Sequence, residues 1–313
     1  MADIRTCSEG GELKSRKRLL DLSVGLVEDL RTERASPEKG PEGFCPDFQL
    51  CFPYRGLFVW HVGRDDVVGD ANQVLFVTGG EAFRMSGPLG GSFGELVMTP
   101  ALDVLSEMAH VNGQPLSRHV LFTRRAWPAT PRLQSLRTRF LHWATSPSRK
   151  DGLEAQEHVL ALLRSALQQD GRRETSNAAT TVRLIRRAKE FLEAQMSNRV
   201  LLIDVARAAG TSPAYLTDLF TRVEGLSLHQ YLTQLRLARA LVELPHAADL
   251  TALALDLGFS SHSHFSFAFR RAFGCTPSEF RNTTRRTART SSLVNAVTRV
   301  PQGGPGVRVA AEP

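Results

Sequence analysis

Between residues 44 and 122, hydrophobic positions come in short runs rich in β-branched and aromatic side chains: LFVWHV (57–62), QVLFVT (73–78), EAFRM (81–85), GELVMT (94–99) and RHVLFT (118–123). Gly79-Gly80, Gly90-Gly91 and Asn112-Gly113 separate them as turn signals. Strands of about six residues at this spacing predict an antiparallel sandwich or small barrel. The segment ALDVLSEMAH (101–110) fits a strand pair or a helical turn equally well. After Pro131 the period becomes helical, with Leu133, Leu136, Phe140 and Trp143 on one side. Beyond the break SPSRKDG, Leu153, Val159, Leu160, Leu163 and Leu167 repeat the pattern. Two such helices form an antiparallel pair that packs on the barrel or on a second copy of the chain. Ahead of the strands, Leu19, Leu20, Val24, Val27 and Leu30 predict one amphipathic helix over Glu12–Arg31, closed by the loop SPEKGPEG.

The last third of the chain resembles itself. Leu202, Val205, Ala206 and Gly210 align with Leu250, Leu253, Ala254 and Gly258 at an offset of 48. Beyond the glycines the offset is 49, pairing Leu216 with Phe265, Phe220 with Phe269, Arg222 with Arg271 and Gly225 with Gly274. Each copy meets the requirements of a helix-turn-helix. Ala206 and Ala254 permit a close helix crossing, and Gly210 and Gly258 tolerate positive φ in the tight turn. Ser212 before Pro213 is a strong helix start, with Ser260 expected in the same role in the second copy. Gly225 and Gly274 stop the second helices. Leu228, Tyr231, Leu232, Leu235, Ala238 and Leu241 mark a rod between the copies. Two units held rigidly can place their second helices in successive major grooves, roughly 34 Å apart.

Charge agrees with this placement. The 313 residues carry 39 Lys plus Arg against 32 Asp plus Glu, a net +7. Residues 1–180 hold 22 of each sign, so the surplus of 17 over 10 lies in residues 181–313. A neutral front joined to a basic back implies a polyanionic partner. Cys7, Cys45, Cys51 and Cys275 are scattered and contain no CxxC pair, which argues for a reducing compartment. No uninterrupted apolar run is long enough to span a bilayer, and the opening MADIRTCSEG lacks the apolar core of a signal peptide. These features predict a cytoplasmic protein with no membrane partner.

The stretch ALDLGFSSHSHFSFAFRRAFGCTPSEFR (254–281) resembles the signature of the AraC/XylS family of bacterial transcription regulators, and the resemblance runs from Val182 to Arg281. Arg236 matches the family's linker-helix arginine. The resemblance implies a multidomain α+β chain: an N-terminal cupin-like antiparallel β domain, a helical pair, then an all-α double helix-turn-helix domain. On this chain the expected division is a polar extension (1–43), a cupin-like sensor (44–125), a helical dimerisation pair (126–170), a linker (171–181), the DNA-binding domain (182–283) and a tail (284–313). It further implies sequence-specific binding of double-stranded DNA, a small-molecule effector, contact with RNA polymerase, a homodimer and no cofactor.

With Leu216, Leu219 and Phe220 inward, the outward face of the first recognition helix is Pro213, Ala214, Thr217, Asp218 and Thr221, followed by Arg222. The second presents Ser261, His262, Ser263, Ser266, Phe267, Arg270 and Arg271. Thr, Ser and His bond base edges, while Arg suits phosphate or guanine. Asp218 and Phe267 depart from the family's habit of Arg or polar residues; Asp218 repels phosphate but accepts from a cytosine amino group. For an effector in the β domain, Trp60, His61, Arg64 and Arg84 are the candidates, with strand alternation allowing only one of Trp60 and His61 to face inward.

Two other classes stand beside this reading. One is a DNA-binding protein without an effector. The other is an enzyme carrying a DNA-targeting module, either a metal cupin using His61, Glu81, His110 and His119 or a cysteine methyl acceptor using Cys45 or Cys51. The first enzyme lacks a His-x-His spacing and the second lacks a Pro-Cys-His motif. His262 and His264 sit two apart on a helix and diverge, so they do not form a metal pair. The glycines at 87, 90, 91 and 94 lack the Lys-Ser of a phosphate-binding loop.

Overall fold

The computed structural model describes residues 4–9, 12–111, 125–146, 151–167 and 179–285. The N-terminal half is a two-sheet β structure. Its strands are β1 (Ile4–Glu9), β2 (Glu12–Leu22), β3 (Gly25–Thr32), β4 (Gly43–Cys45), β5 (Gln49–Arg55), β6 (Phe58–Val62), β7 (Asp65–Gly69), β8 (Gln73–Val77), β9 (Glu81–Ser86), β10 (Phe93–Pro100) and β11 (Ala126–Pro128). A seven-stranded sheet runs β1-β2-β3-β10-β5-β8-β11 and a four-stranded sheet runs β4-β9-β6-β7. The helix expected over Glu12–Arg31 is instead the antiparallel hairpin β2–β3. Apolar residues three and four apart fit a helix, but Gly25 (φ +144°) breaks it. A Cβ at Gly25 would sit 2.6 Å from the Thr99 carbonyl oxygen, where β3 pairs with β10. The segment 1–43, expected as an extension, therefore contributes three strands, β1 to β3, to the seven-stranded sheet.

Alternation explains why several strands read as continuous apolar runs. In β5, β8 and β10, Leu50, Phe52, Val74, Phe76, Leu96 and Met98 face the helices. Cys51, Leu75, Val77 and Val97 face the other sheet with Phe58, Trp60 and Phe93. Both faces of these three strands are covered, so neither shows a polar row, whereas β2 nearer the sheet edge exposes Arg16, Arg18 and Asp21. Glu95 is buried in the same strand, and burial pushes its carboxyl up to about 7.

Residues 101–110 resolve as helix α1 (Leu102–Val111), and the predicted pair is α2 (Pro131–Thr145) with α3 (Gly152–Leu167). Thr130 caps α2 through the Leu133 N–H at 3.2 Å, with Pro131 at its first position. Leu133, Phe140, Val159, Leu162 and Leu163 all join the core under the large sheet. The strand expected at 118–123 lies outside the described residues, as do most of the linker and nearly all of the tail; Ala179–Thr181 of the linker already belong to the next helix.

The C-terminal half comprises α4 (Ala179–Ala194), α5 (Leu202–Ala209), α6 (Pro213–Glu224), α7 (Leu228–Glu243), α8 (Leu250–Asp256) and α9 (His262–Phe273), then a helical stretch over 277–285. It has two cores that share α7. Tyr231, Leu232 and Leu235 serve the first, and Leu237, Ala240 and Leu241 serve the second. Ser227 and Gln230 form a capping box that starts this rod. Among the described residues, no helix is long and apolar enough to cross a membrane.

Candidate nucleic-acid interface

Helices α5–α6 and α8–α9 are the two units that the repeat predicts. Ala206 and Ala254 are fully buried at the crossings. Gly210 (φ +79°) and Gly258 (φ +82°) occupy the left-handed region in the turns. Ser212 accepts from the Tyr215 N–H at 3.3 Å, so α6 starts where expected. In the second unit the cap is Ser261, not Ser260: Ser261 Oγ accepts from the His264 N–H at 3.1 Å, while Ser260 pairs with His264 Nδ1 at 3.0 Å. Phe259, buried against Phe265 with ring centroids 5.2 Å apart, is the counterpart of Thr211, since its N–H bonds the Ala254 carbonyl at 3.0 Å as that of Thr211 bonds Ala206. The extra residue of the second copy is therefore Ser260, and it moves the cap one position on. The offset of 49 had already aligned Ser212 with Ser261.

Arg236 of the rod holds the two units together. Its Nε donates to the Met196 carbonyl at 2.7 Å and its Nη2 to that of Asn198 at 2.8 Å. A Cβ at Gly258 would lie 2.6 Å from the same Met196 oxygen, so the second turn presses directly on the loop after α4.

The predicted contact residues share two solvent-facing surfaces. On α6, Ala214, Thr217, Asp218, Thr221 and Arg222 are exposed and Pro213 is half-buried. At α9, Ser261, Ser263, Phe267, Arg270 and Arg271 are exposed, while His262 and Ser266 are half-buried and lie 3.4 Å apart. Phe267 is 68% exposed, with no core to fill. Arg222 Nη2 donates to Asp218 Oδ2 at 2.8 Å, so the acid that departs from the family pattern neutralises the cation one turn away.

The four effector candidates do not converge. Trp60 faces the sandwich interior, with its ring 5.5 Å from that of Phe83. His61 faces the opposite side, between Asp66 Oδ1 (2.6 Å from Nδ1) and Ser86 Oγ (2.8 Å from Nε2). This is the bonding order of a nucleophile triad, but Ser86 is buried and Arg186 of α4 binds the other Asp66 oxygen at 2.9 Å. Arg64 is exposed, and exposed Arg84 reaches Glu42 at 3.3 Å. Of the enzyme candidates, Glu81 is spent on Arg125, and burial pushes the thiols of Cys45 and Cys51 up. The side chains of His110 and His119 lie outside the described residues.

The sequence reading missed two features of the domain junction. One is a cleft of about 840 Å³ between the large sheet, the end of α2 and the second unit, lined by Arg31, Tyr54, Arg55, His142, His246 and Asp249. The other is a set of buried polar contacts between the turn after β7 and helices α4, α6 and α7. Nearby, burial and the Asp70 charge push the carboxyl of Glu193 up to about 7. Their component residues resemble ordinary surface side chains in the sequence.

A helix-turn-helix domain family matches residues 205–283. The regulatory protein SoxS of Salmonella typhimurium is 35% identical over 94 residues, which are 30% of this chain and 88% of SoxS. A putative transcriptional regulator of Escherichia coli, YkgA, is 31% identical over 110 residues, 34% of this chain and 46% of its own. The chain thus spans less than half the length of YkgA, and likewise of the Msm operon regulatory protein of Streptococcus mutans (39%). A solved AraC-type DNA-binding domain from Chromobacterium violaceum is 30% identical, covering 34% of this chain and 96% of its own at a TM-score of 0.32. Since the repeated unit with its caps and glycines covers most of SoxS at this identity, the chain belongs to the AraC/XylS family of transcription regulators.

Proposed function

We propose that the chain is a sequence-specific DNA-binding transcription regulator without enzymatic activity, reading two successive major grooves with α6 and α9. The carrying observation is that both outward faces stay exposed while the helices are fixed on one shared rod. Thr217, Thr221, Ser263 and His262 supply base-edge donors and acceptors, and Arg270 and Arg271 supply phosphate attraction. The name of one relative, the transcriptional activator RhaR of Mannheimia succiniciproducens, favours activation, and contact with RNA polymerase is the route proposed for it. A small-molecule effector acts on the β half. The domain-junction cleft suits it better than Trp60, His61, Arg64 and Arg84, which point apart. The apolar faces of α2 and α3 are spent inside the chain, so homodimerisation through 126–170 uses the outer side of α3, where Leu153 is exposed.

Selection of bound duplexes from a randomised pool by the full chain tests this reading. Enrichment of one sequence with two contact blocks a helical turn apart is the expected result. Binding that remains sequence-independent at physiological salt overturns it.

A further inference from the structure

The β half and the first helix-turn-helix unit meet through a buried polar joint. Asp70 and Asn72, in the turn between β7 and β8, and Gln73, the first residue of β8, are all buried. Asp70 Oδ1 accepts from the Asn72 N–H at 2.9 Å, and its Oδ2 accepts the hydroxyl of Tyr231 on the rod. Asn72 Nδ2 donates to the Tyr231 carbonyl at 3.0 Å. Gln73 Nε2 donates to Glu224 Oε2 at 3.0 Å, and the other Glu224 oxygen pairs with Lys189 of α4 at 2.9 Å. Glu224 is the last residue of recognition helix α6.

Burying these charges confers little net stability, because desolvation offsets their attraction. Each group has a partner, however, so displacing the joint strands a charge or a donor in a dry setting. Such a contact selects one orientation. On the other side, α2 packs against both α7 and α9, with the His142 and His246 rings 6.4 Å apart. The β half therefore grips both units, yet the outward faces of α6 and α9 stay open. It does not act as a cover.

We infer that Asp70 and Gln73 are positioning residues for DNA reading: the β half is a splint that sets the angle and spacing between α6 and α9. This rests on the DNA-reading function proposed above. The joint acts on the end of α6 and on the rod, so loosening it loosens spacing more than it loosens contact with either block alone.

The experiment uses the operator selected by the wild-type full chain, and derivatives with the two contact blocks moved one base pair closer or farther. One base pair rotates a block by about a tenth of a turn, so a rigid reader loses about tenfold or more on either shift. Tyr231→Phe removes the hydroxyl and keeps the ring that meets Phe220 edge-on at 5.2 Å; Gln73→Leu removes the donor to Glu224. Both variants should bind the parent operator within about threefold of wild type and lose less than about threefold on the shifted ones. If either variant fails to fold, Arg186→Ala replaces it, because it cuts the rim contact to Asp66 from the outside and should relax spacing in the same direction. Wild-type spacing penalties in the folded variants overturn the splint and leave the regulator reading intact. Failure of the wild type to select any operator overturns both.

Discussion

The first recognition helix, α6, carries its one cation in an i,i+4 pair with Asp218, whereas α9 presents Arg270 and Arg271 with no ion pair within 4.0 Å among the described residues. Their supports differ as well. The first unit has a mainly aliphatic core with one ring pair, Phe220 and Tyr231, and docks on the β half through Lys189, Glu224 and Gln73. The second is built on Phe259, Phe265, Phe269 and Phe280, and its turn is wedged against Met196. One plan thus yields two instruments: α9 for attraction to the duplex, and α6 for reading with little net charge and a fixed orientation.

The sharpest break of that comparison is at the turns. Gly258→Ala forces both a left-handed backbone and a clash with the Met196 carbonyl, and should destabilise the second unit by about 3 kcal/mol. Gly274→Ala, with the same backbone sign but open space around it, should cost only about 1 kcal/mol. Denaturant melts of the two variants check this, and equal losses would show that the Met196 contact is unimportant.

Arg271→Ala should weaken all duplex sequences alike by about tenfold and flatten the salt dependence by about one counterion. Ser263→Ala should instead relax preference at one or two operator positions. Uniform weakening by both would refute the division into phosphate and base contacts.

A pH titration separates the supports. Glu193 holds its proton in the fold up to about pH 7, whereas an unfolded glutamate releases it near the ordinary carboxylate value. The folded state binds more protons in that window, so stability is greatest below it and falls as pH rises to about 7. Glu193→Gln should flatten this fall by roughly 1–2 kcal/mol, read as the difference in urea midpoints at pH 5 and pH 8. The smallest effect belongs to α6: Asp218→Asn frees Arg222 and removes a repulsive charge, tightening all duplexes by about threefold as read by equilibrium titration.

The repeat, its glycines and its outward faces were legible because each depends on neighbours within a few residues: a cap, a positive φ, a helical phase. Even the misplaced cap was off by one residue only, because Ser260 is itself the insertion and two adjacent serines give a local rule no way to choose between them. The hairpin β2–β3 was misread for a different reason. Leu19, Leu20, Val24, Val27 and Leu30 fit a helical period, and only pairing of β3 with β10 demands a glycine at residue 25, where β3 begins after the turn at Ser23 and Val24, and settles the segment as strand.

What the chain's own order of residues determined is the helix-turn-helix pair, its rod and the surfaces it turns outward, since helix phase and turn chemistry are short-range. Tertiary structure alone decided that Asp70, Gln73, Lys189 and Glu224 are interior groups and that Trp60, His61, Arg64 and Arg84 part company. Charge and hydrogen-bonding capacity are written in a side chain, but whether they meet water or one another depends on segments up to 161 residues apart.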